Sequence, residues 1–196
     1  MVTYRLGVAQ SAAEYIKILG SDSVPAPAKM LALSAMVEKN LVDIDILFDA
    51  AYALEDQDKS FLMHQFIYLV ADRHIEPRCP IGHVDLLGGD SLLPDQGFYR
   101  LSGWAIDRAG VARIVLVADG TEVAGLQARA VERPDVVQVF HGFGDEEMRR
   151  KSGFVFDIPE GLAAGKTYHV AVRVMNHHFR FRDIFARTLH FLPHKN

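Results

Sequence analysis

The spacing of hydrophobic positions changes along this chain. Over residues 1–78, apolar residues recur every three or four positions, as on one face of a helix. After residue 97 they mostly alternate with polar residues, as in half-buried strands. The change predicts an α+β fold of two parts, an α-helical domain over residues 1–78 and a β-domain over residues 97–196. The Pro- and Gly-rich residues 79–96 are predicted to connect them and to hold the candidate for a first strand.

Four short helices are predicted in the first part. Their expected spans are residues 9–19, 28–39, 43–54 and 59–72. Gly20 directly follows the first span as a stop signal, and Asp58 is placed to cap the fourth. Four helices joined by tight links are typical of a small helical bundle.

The second part is predicted to be an antiparallel β-sandwich of about seven strands. Strands are expected at residues 98–106, 111–118, 121–128, 154–158 and 168–175, and residues 179–184 and 186–191 are expected to form one closing strand with an interruption. Asp119-Gly120 is a strong two-residue hairpin signal, because both residues tolerate positive φ. Arg133-Pro134-Asp135 is expected to open a short helical turn that runs to Phe140, since Pro suits the first helical position. Short strands at these turn spacings favour a sandwich.

Composition narrows the class of protein. With 49% hydrophobic and 23% charged residues, the 196-residue chain can bury a core. Its net charge of −4 argues against a nucleic-acid-binding protein. Cys79 is the only cysteine, so no internal disulfide can form, which fits a reducing compartment. Without a secretory signal pattern in residues 1–6 or a long apolar run, we expect a cytoplasmic protein with no membrane span.

Four short motifs follow one another in the β-domain. They are Gly103-Trp104-Ala105-x-Asp107, then Val111-Ala112-Arg113-Ile114 leading into Asp119-Gly120, then Arg133-Pro134-Asp135-Val136, and Ser152-Gly153-Phe154. In this order they resemble an accessory β-sandwich domain that occurs beside bacterial glycosyltransferases and methyltransferases of cell-surface polysaccharide synthesis. The resemblance covers about residues 97–191. It implies a non-catalytic, immunoglobulin-like module that is carbohydrate-binding or organisational.

The chain departs from the usual setting of that family. It carries no glycosyltransferase or methyltransferase domain. Asp43-Ile44-Asp45 has the letters of a metal and nucleotide-sugar motif, but it lies in a helical pattern with no buried strand before it. The resemblance therefore favours an accessory role and leaves the ligand open.

Two places are candidates for ligand binding. Trp104, the only tryptophan, is a sugar-stacking platform in one interpretation and a core residue of the sandwich in the other. On a continuous strand, His178, Arg180 and Arg182 would share one face and form an exposed basic stripe for an anionic sugar, a phosphate or the acidic helical half. The alternative is a solvated strand face over a buried aromatic face, which on that strand would carry Phe179 and Phe181. Arg133, Pro134 and Asp135 form a ligand corner in one interpretation and fix a turn in the other.

No catalytic or cofactor-binding pattern stands out. The sequence has no Gly-x-Ser-x-Gly elbow, no Gly-rich phosphate loop and no His-Glu-x-x-His. Cys79 and His83 have a ligand-like spacing, but no second pair accompanies them. We therefore expect no enzyme activity, no metal and no cofactor.

Three functions follow from these observations, in order of preference. The first is an accessory module that recognises a glycan or a polysaccharide-synthesis protein. The second is an interaction or assembly protein without a sugar ligand, in which self-association into a homo-oligomer is left open. The third is an enzyme whose site unites residues that are distant in sequence.

Overall fold

A computed structural model describes residues 23, 32, 35–37, 39, 41–52, 70, 76–86 and 89–194. The chain divides into two compact units, Met1–Glu76 and Pro77–Asn196. In the first unit, helix α1 (Ile44–Tyr52) lies within the predicted span 43–54. Asp43 caps it, because its Oδ1 accepts the backbone N–H of Asp45 at 3.0 Å.

The second unit is built mainly of strands. They are β1 (Ile81–Asp85), β2 (Ser91–Leu92), β3 (Phe98–Ile106), β4 (Val111–Ala118), β5 (Thr121–Glu122), β6 (Arg129–Val131), β7 (Gly153–Pro159), β8 (Thr167–Asn176) and β9 (Phe181–Phe191). Its short helices are α2 (Pro134–Val139), α3 (Glu146–Arg150) and α4 (Glu160–Ala163).

These strands form two sheets. One has four strands in the order β1-β3-β7-β6, and the other has five in the order β2-β9-β8-β4-β5. Neighbouring strands are antiparallel, apart from β2, which runs parallel to β9. A register shift between Val111 and Arg113 places a bulge at the start of β4.

The core of the second unit lies between the two sheets. Tyr99 of one sheet meets Phe191 of the other edge to face, with ring centroids 5.0 Å apart, and its hydroxyl donates to the Leu192 carbonyl at 2.8 Å. Gly82 marks a close approach, because a Cβ there would lie 2.7 Å from Ile184 and 2.4 Å from the Trp104 carbonyl oxygen. The sheets therefore pack tightly enough for a side chain to be excluded at this point.

The predicted α+β fold with an N-terminal helical bundle is wrong. In the part of the chain that the structure describes, two sheets form the framework and the helices are short. The helices predicted at residues 9–19, 28–39 and 59–72 fall wholly or mostly outside the described residues. A helical period records a local preference, whereas a bundle needs several helices that bury their apolar faces against each other. Of the four predicted helices, the one at residues 43–54 corresponds to α1, whose bounds lie in the described part of the chain.

The predicted sandwich of about seven antiparallel strands also needs correction. The described residues hold nine strands, and the pairing of β2 with β9 is parallel. β2 and β5 are two residues long, too short to show an alternating pattern. The span 121–128, predicted as one strand, holds only β5, because the chain turns away from the sheet around Gly125, which has φ +76°.

Several local predictions are confirmed. β3 and β4 have the predicted bounds, and the hairpin turn between β4 and β5 has positive φ at Asp119 and Gly120. The helical turn predicted after Arg133 is α2, with Pro134 at its first position. Residues 141–151, for which no element is predicted, contain α3, which Asp145 caps by accepting the Met148 N–H at 2.8 Å.

Candidate functional site

Two turns meet at one end of the sandwich, and we call residues 107–110 and 176–180 the turn cluster. Asp107 follows β3 and Asn176 ends β8, and both side chains are buried. Asn176 Nδ2 donates to Asp107 Oδ2 at 3.0 Å, while Asp107 Oδ1 accepts the Ala109 N–H at 2.8 Å. This buried pair ties the β3–β4 turn to the β8–β9 turn. Buried polar groups are costly unless paired, so the tie fixes the relative position of the two turns.

Asn176 also organises the β8–β9 turn. Its Oδ1 accepts the backbone N–H groups of His178 and Arg180, each at 3.0 Å. Its own N–H donates to the Arg180 carbonyl at 2.9 Å, and its carbonyl accepts the Phe179 N–H at 3.1 Å. An asparagine side chain that bonds the backbone two residues ahead is a common way to stabilise a turn. The backbone of the turn is therefore preorganised.

Phe179 stands out within this ordered turn. Its φ is +60°, in the left-handed region that a bulky side chain rarely adopts, and 80% of its surface is exposed. A three-residue hairpin loop usually places glycine at such a position. The conformation costs about 1–2 kcal/mol for an L-residue, and the exposed ring recovers little by burial. Backbone strain that the surroundings hold in place is typical of a functional site.

The structure separates the four residues that the sequence singled out. His178 and Arg180 are exposed in the turn cluster. Arg182 is buried, and its Nη1 donates to the Pro80 carbonyl at 3.1 Å. Trp104 is 6% exposed in β3, with its ring centroid 5.1 Å from that of Phe140. A ring in this position has no open face for a sugar. Of the four residues, a ligand at the turn cluster would contact only His178 and Arg180.

The reason for this separation is the turn itself. The predicted basic stripe assumed one strand through residues 177–182, but β9 begins at Phe181. Phe179 and Phe181, which the alternative interpretation placed on a buried aromatic face, are 80% and 58% exposed. Asn176, at the start of the turn, is the signal in the sequence that points to a turn at this place.

Phe181 lies on the outer face of the five-stranded sheet. The Arg173 guanidinium carbon is 5.0 Å from its ring centroid, a cation–π arrangement. Arg173 also donates to both Asp183 oxygens, at 2.7 and 2.9 Å, and this bonding raises the pKa of Arg173. The exposed ring is thus held beside a fixed cation.

The Arg133 corner has a different character. Arg133 donates through Nε and Nη2 to the two Asp135 oxygens, at 2.9 and 2.7 Å, and through Nη1 to Asp85 at 2.8 Å. The hydrogen bonding to Asp135 raises the pKa of Arg133 and lowers that of the Asp135 carboxyl. All three guanidinium nitrogens donate to carboxylates of the chain, so the corner joins β1 to α2.

A cleft of about 690 Å³ lies beside the turn cluster, between the two sheets. His177 and Gly110 belong to both, and a Cβ at Gly110 would lie 2.9 Å from His177 Cδ2. Polar side chains on its walls include Arg113, Lys151 and Ser152. The volume is in the range of small-ligand sites.

Metal chemistry receives no support from the described residues. Among them, no three His, Cys, Asp or Glu side chains are arranged to hold a metal ion. Cys79 is half-buried and His83 is exposed.

The described part of the chain contains no helix with the length and apolar character needed to cross a membrane.

Comparison with known proteins gives little to set beside this geometry. No family model and no curated protein matches the chain. A solved structure of the Bacillus anthracis TIE protein aligns with 89% of this chain at 8% identity and a TM-score of 0.31. The chain spans 34% of that structure's length. At this level of similarity neither fold nor function is transferred.

Proposed function

We propose that this chain is a non-catalytic accessory module of bacterial cell-surface polysaccharide synthesis, which recognises a glycan through its turn cluster. The observation that carries the proposal is Phe179, an exposed aromatic ring held in a strained conformation on an ordered turn. We place the protein in the cytoplasm, in keeping with its single cysteine.

The chemistry of the turn cluster suits a sugar. The C–H groups of a pyranose pack well on an aromatic face, and Phe179 offers such a face to solvent. His178 and Arg180 flank the ring in the chain and are exposed, so their nitrogens are available to sugar hydroxyls or to an acidic substituent. Since Asn176 already fixes the backbone, binding costs little ordering of the turn.

An array of bacterial glycans tests the proposal when it is probed with the wild-type chain and Phe179→Gly. We expect selective binding by the wild type and about a tenfold or greater loss of affinity in the variant, the scale of an interface hot spot. Glycine relieves the backbone strain, so the loss would not reflect unfolding.

Two further variants serve as controls. Phe179→Tyr keeps an aromatic face and should retain binding. Leu162→Ala removes a 54% exposed apolar side chain from α4, which precedes β8 and so lies away from the β8–β9 turn, and should leave binding unchanged. Equal binding by wild type and Phe179→Gly would contradict the proposal.

The alternative is a protein-interaction or assembly role without a sugar ligand. It is favoured by Phe181, which is exposed on the outer face of the five-stranded sheet and lines a depression of about 230 Å³ together with the half-buried Val115 and Met175. Analytical ultracentrifugation tests whether the assembly role takes the form of self-association of this chain. A concentration-dependent dimer that Phe181→Ser abolishes, with no glycan bound on the array, would support this alternative.

A further inference from the structure

Strand β4 has one open edge. On one side it pairs with β8 from Val111 to Ala118. On the other side β5 pairs with it only at Val117 and Ala118. Within the described part of the chain, no strand covers that side between residues 111 and 116. An uncovered edge presents a row of backbone donors and acceptors.

The backbone groups of Ile114 point to this open edge. The Leu116 carbonyl accepts the Val123 N–H at 2.9 Å, so the polar groups of Leu116 face the β5 side. Backbone groups that face the same side of a strand recur every second residue. The N–H and C=O of Ile114 therefore face outwards, whereas those of Val115 face β8.

The cleft beside the turn cluster runs along this edge. Residues 111–115 all line it. Because successive side chains point to opposite faces of a sheet, a cavity that touches five consecutive residues follows the edge of the strand and not one face. Five residues span about 17 Å. Leu126 and Met148 contribute apolar side chains to the same cleft.

We propose that this cleft binds an extended, acidic peptide segment of a partner protein, which adds to the open edge of β4 as a further strand. The Ile114 N–H and C=O pair with the peptide backbone, which supplies affinity. Alternate side chains of the peptide enter the cleft towards Leu126 and Met148, which supplies specificity. The proposal goes beyond glycan recognition and does not depend on it.

The charges around the cleft select an acidic peptide. Arg113 and Lys151 line it, against one acidic lining side chain, Glu122. Lys151 pairs with Glu147 at 2.7 Å, but both side chains are more than half exposed. Arg113 pairs with Glu122, but both side chains are about half exposed, and an exposed ion pair of this kind is weak. A carboxylate on the added strand, opposite Arg113, can therefore compete for the guanidinium.

Amide hydrogen exchange on the free full chain is the first test. The Ile114 amide should exchange rapidly and the Val115 amide slowly, because only the second is directed into the β4–β8 ladder. Slow exchange at Ile114 in dilute protein would overturn the proposal, since the edge would already be occupied. Protection that appears only as the chain self-associates would overturn it in favour of a second copy.

The second test uses seven-residue peptides selected by phage display on the immobilised full chain. We expect alternating apolar residues with at least one Asp or Glu in the selected sequences. The synthetic peptide should slow exchange at Ile114 and leave the Phe179 amide unchanged. Selection of no peptide, or binding without protection at Ile114, would contradict the proposal. Protection of Ile114 by a glycan from the array would assign the cleft to sugars and would also contradict it.

Variants separate the backbone pairing from the charge. Ile114→Pro removes the outward N–H and should weaken peptide binding about three- to tenfold, the value of one hydrogen bond, whereas Ile114→Val should not. Arg113→Glu keeps the backbone and should weaken an acidic peptide about tenfold. Should Ile114→Pro fail to fold, Arg113→Glu and the exchange data still decide. Glycan binding at Phe179 should be the same in Arg113→Glu as in the wild type, so the two proposals fail separately.

Discussion

The Arg133 corner and the turn cluster are both dense in polar contacts, but the turn cluster also holds an aromatic side chain that is strained and exposed. At the corner, Arg133 directs its guanidinium to Asp135 and Asp85. In the turn cluster, Asn176 and Asp107 satisfy the backbone equally well, yet Phe179 remains strained and exposed. Paired polar groups therefore account for architecture, whereas a strained side chain that burial does not compensate marks a candidate place for recognition.

Of the substitutions in these two regions, the removal of the Asn176 side chain should change the free energy of unfolding most. Asn176→Ala deletes the donor to Asp107 and the acceptor for the His178 and Arg180 N–H groups. We expect a loss of about 3 kcal/mol in the free energy of unfolding, because buried partners are left unsatisfied. Urea denaturation measures it. The swapped pair, Asp107→Asn with Asn176→Asp, should recover part of the loss, and a cost below about 1 kcal/mol for Asn176→Ala would show that the tie is dispensable.

Arg133→Lys should have the next largest effect. Lysine keeps the charge but cannot form the two-pronged bond to Asp135, so we expect a loss of about 1–2 kcal/mol, moderated by the exposure of that carboxylate. Glycan binding should not change. An Arg133→Lys variant of normal stability that has lost glycan binding would show that the corner is a ligand site, and would contradict its assignment to architecture.

Phe179→Gly should act in the opposite direction. The free energy of unfolding should rise by about 0.5–1 kcal/mol, because glycine accepts positive φ but gains entropy in the unfolded chain. Thermal unfolding of Phe179→Gly and Phe179→Ala compares a residue that relieves the strain with one that keeps it. A destabilised Phe179→Gly would mean that the ring supports the fold.

The smallest expected effect is a pH dependence at the corner. The Asp135 pKa lies below its ordinary value of 3.8 because of the hydrogen bond from Arg133. A depressed folded-state pKa contributes stability above pH 3.8, and this stability is lost as the pH falls through the folded-state value. Since Asp135 is well exposed, we expect no more than about 0.5 kcal/mol.

Urea midpoints measured from pH 6 to pH 2 test this dependence. Arg133→Ala should flatten the acid limb of the stability curve slightly, while Phe179→Gly should keep the wild-type slope. The same slope in wild type and Arg133→Ala would show that the pair adds nothing to stability in acid.

Local chemistry made much of the sandwich predictable. The alternation in residues 98–106 and 111–118 and the Asp119-Gly120 turn are strong signals because each depends on neighbouring residues alone. β2 and β6 could not be found in this way. Each is two or three residues long and exists because it pairs with a distant strand, β9 or β7.

The site was harder to predict than the strands. The sequence indicates His178 and Arg180 as ligand-binding candidates, and both lie exposed in the turn cluster, but it offers Phe179 only as part of a buried aromatic face in the alternative interpretation. The error arises because the two-residue alternation of a strand was continued through a turn. The turn between residues 176 and 180 changes which side chains face outwards, and Arg182 then points into the core to reach Pro80. The strain at Phe179 is a backbone angle, which no side-chain pattern records.

The most direct test of the central claim pairs two measurements on Phe179→Gly, its melting temperature and its affinity for the glycan that the wild type selects. We expect a melting temperature at or above that of the wild type, together with an affinity at least about tenfold lower. Unchanged affinity, or a loss of affinity that merely follows a lower melting temperature, would contradict the claim that Phe179 is kept for recognition.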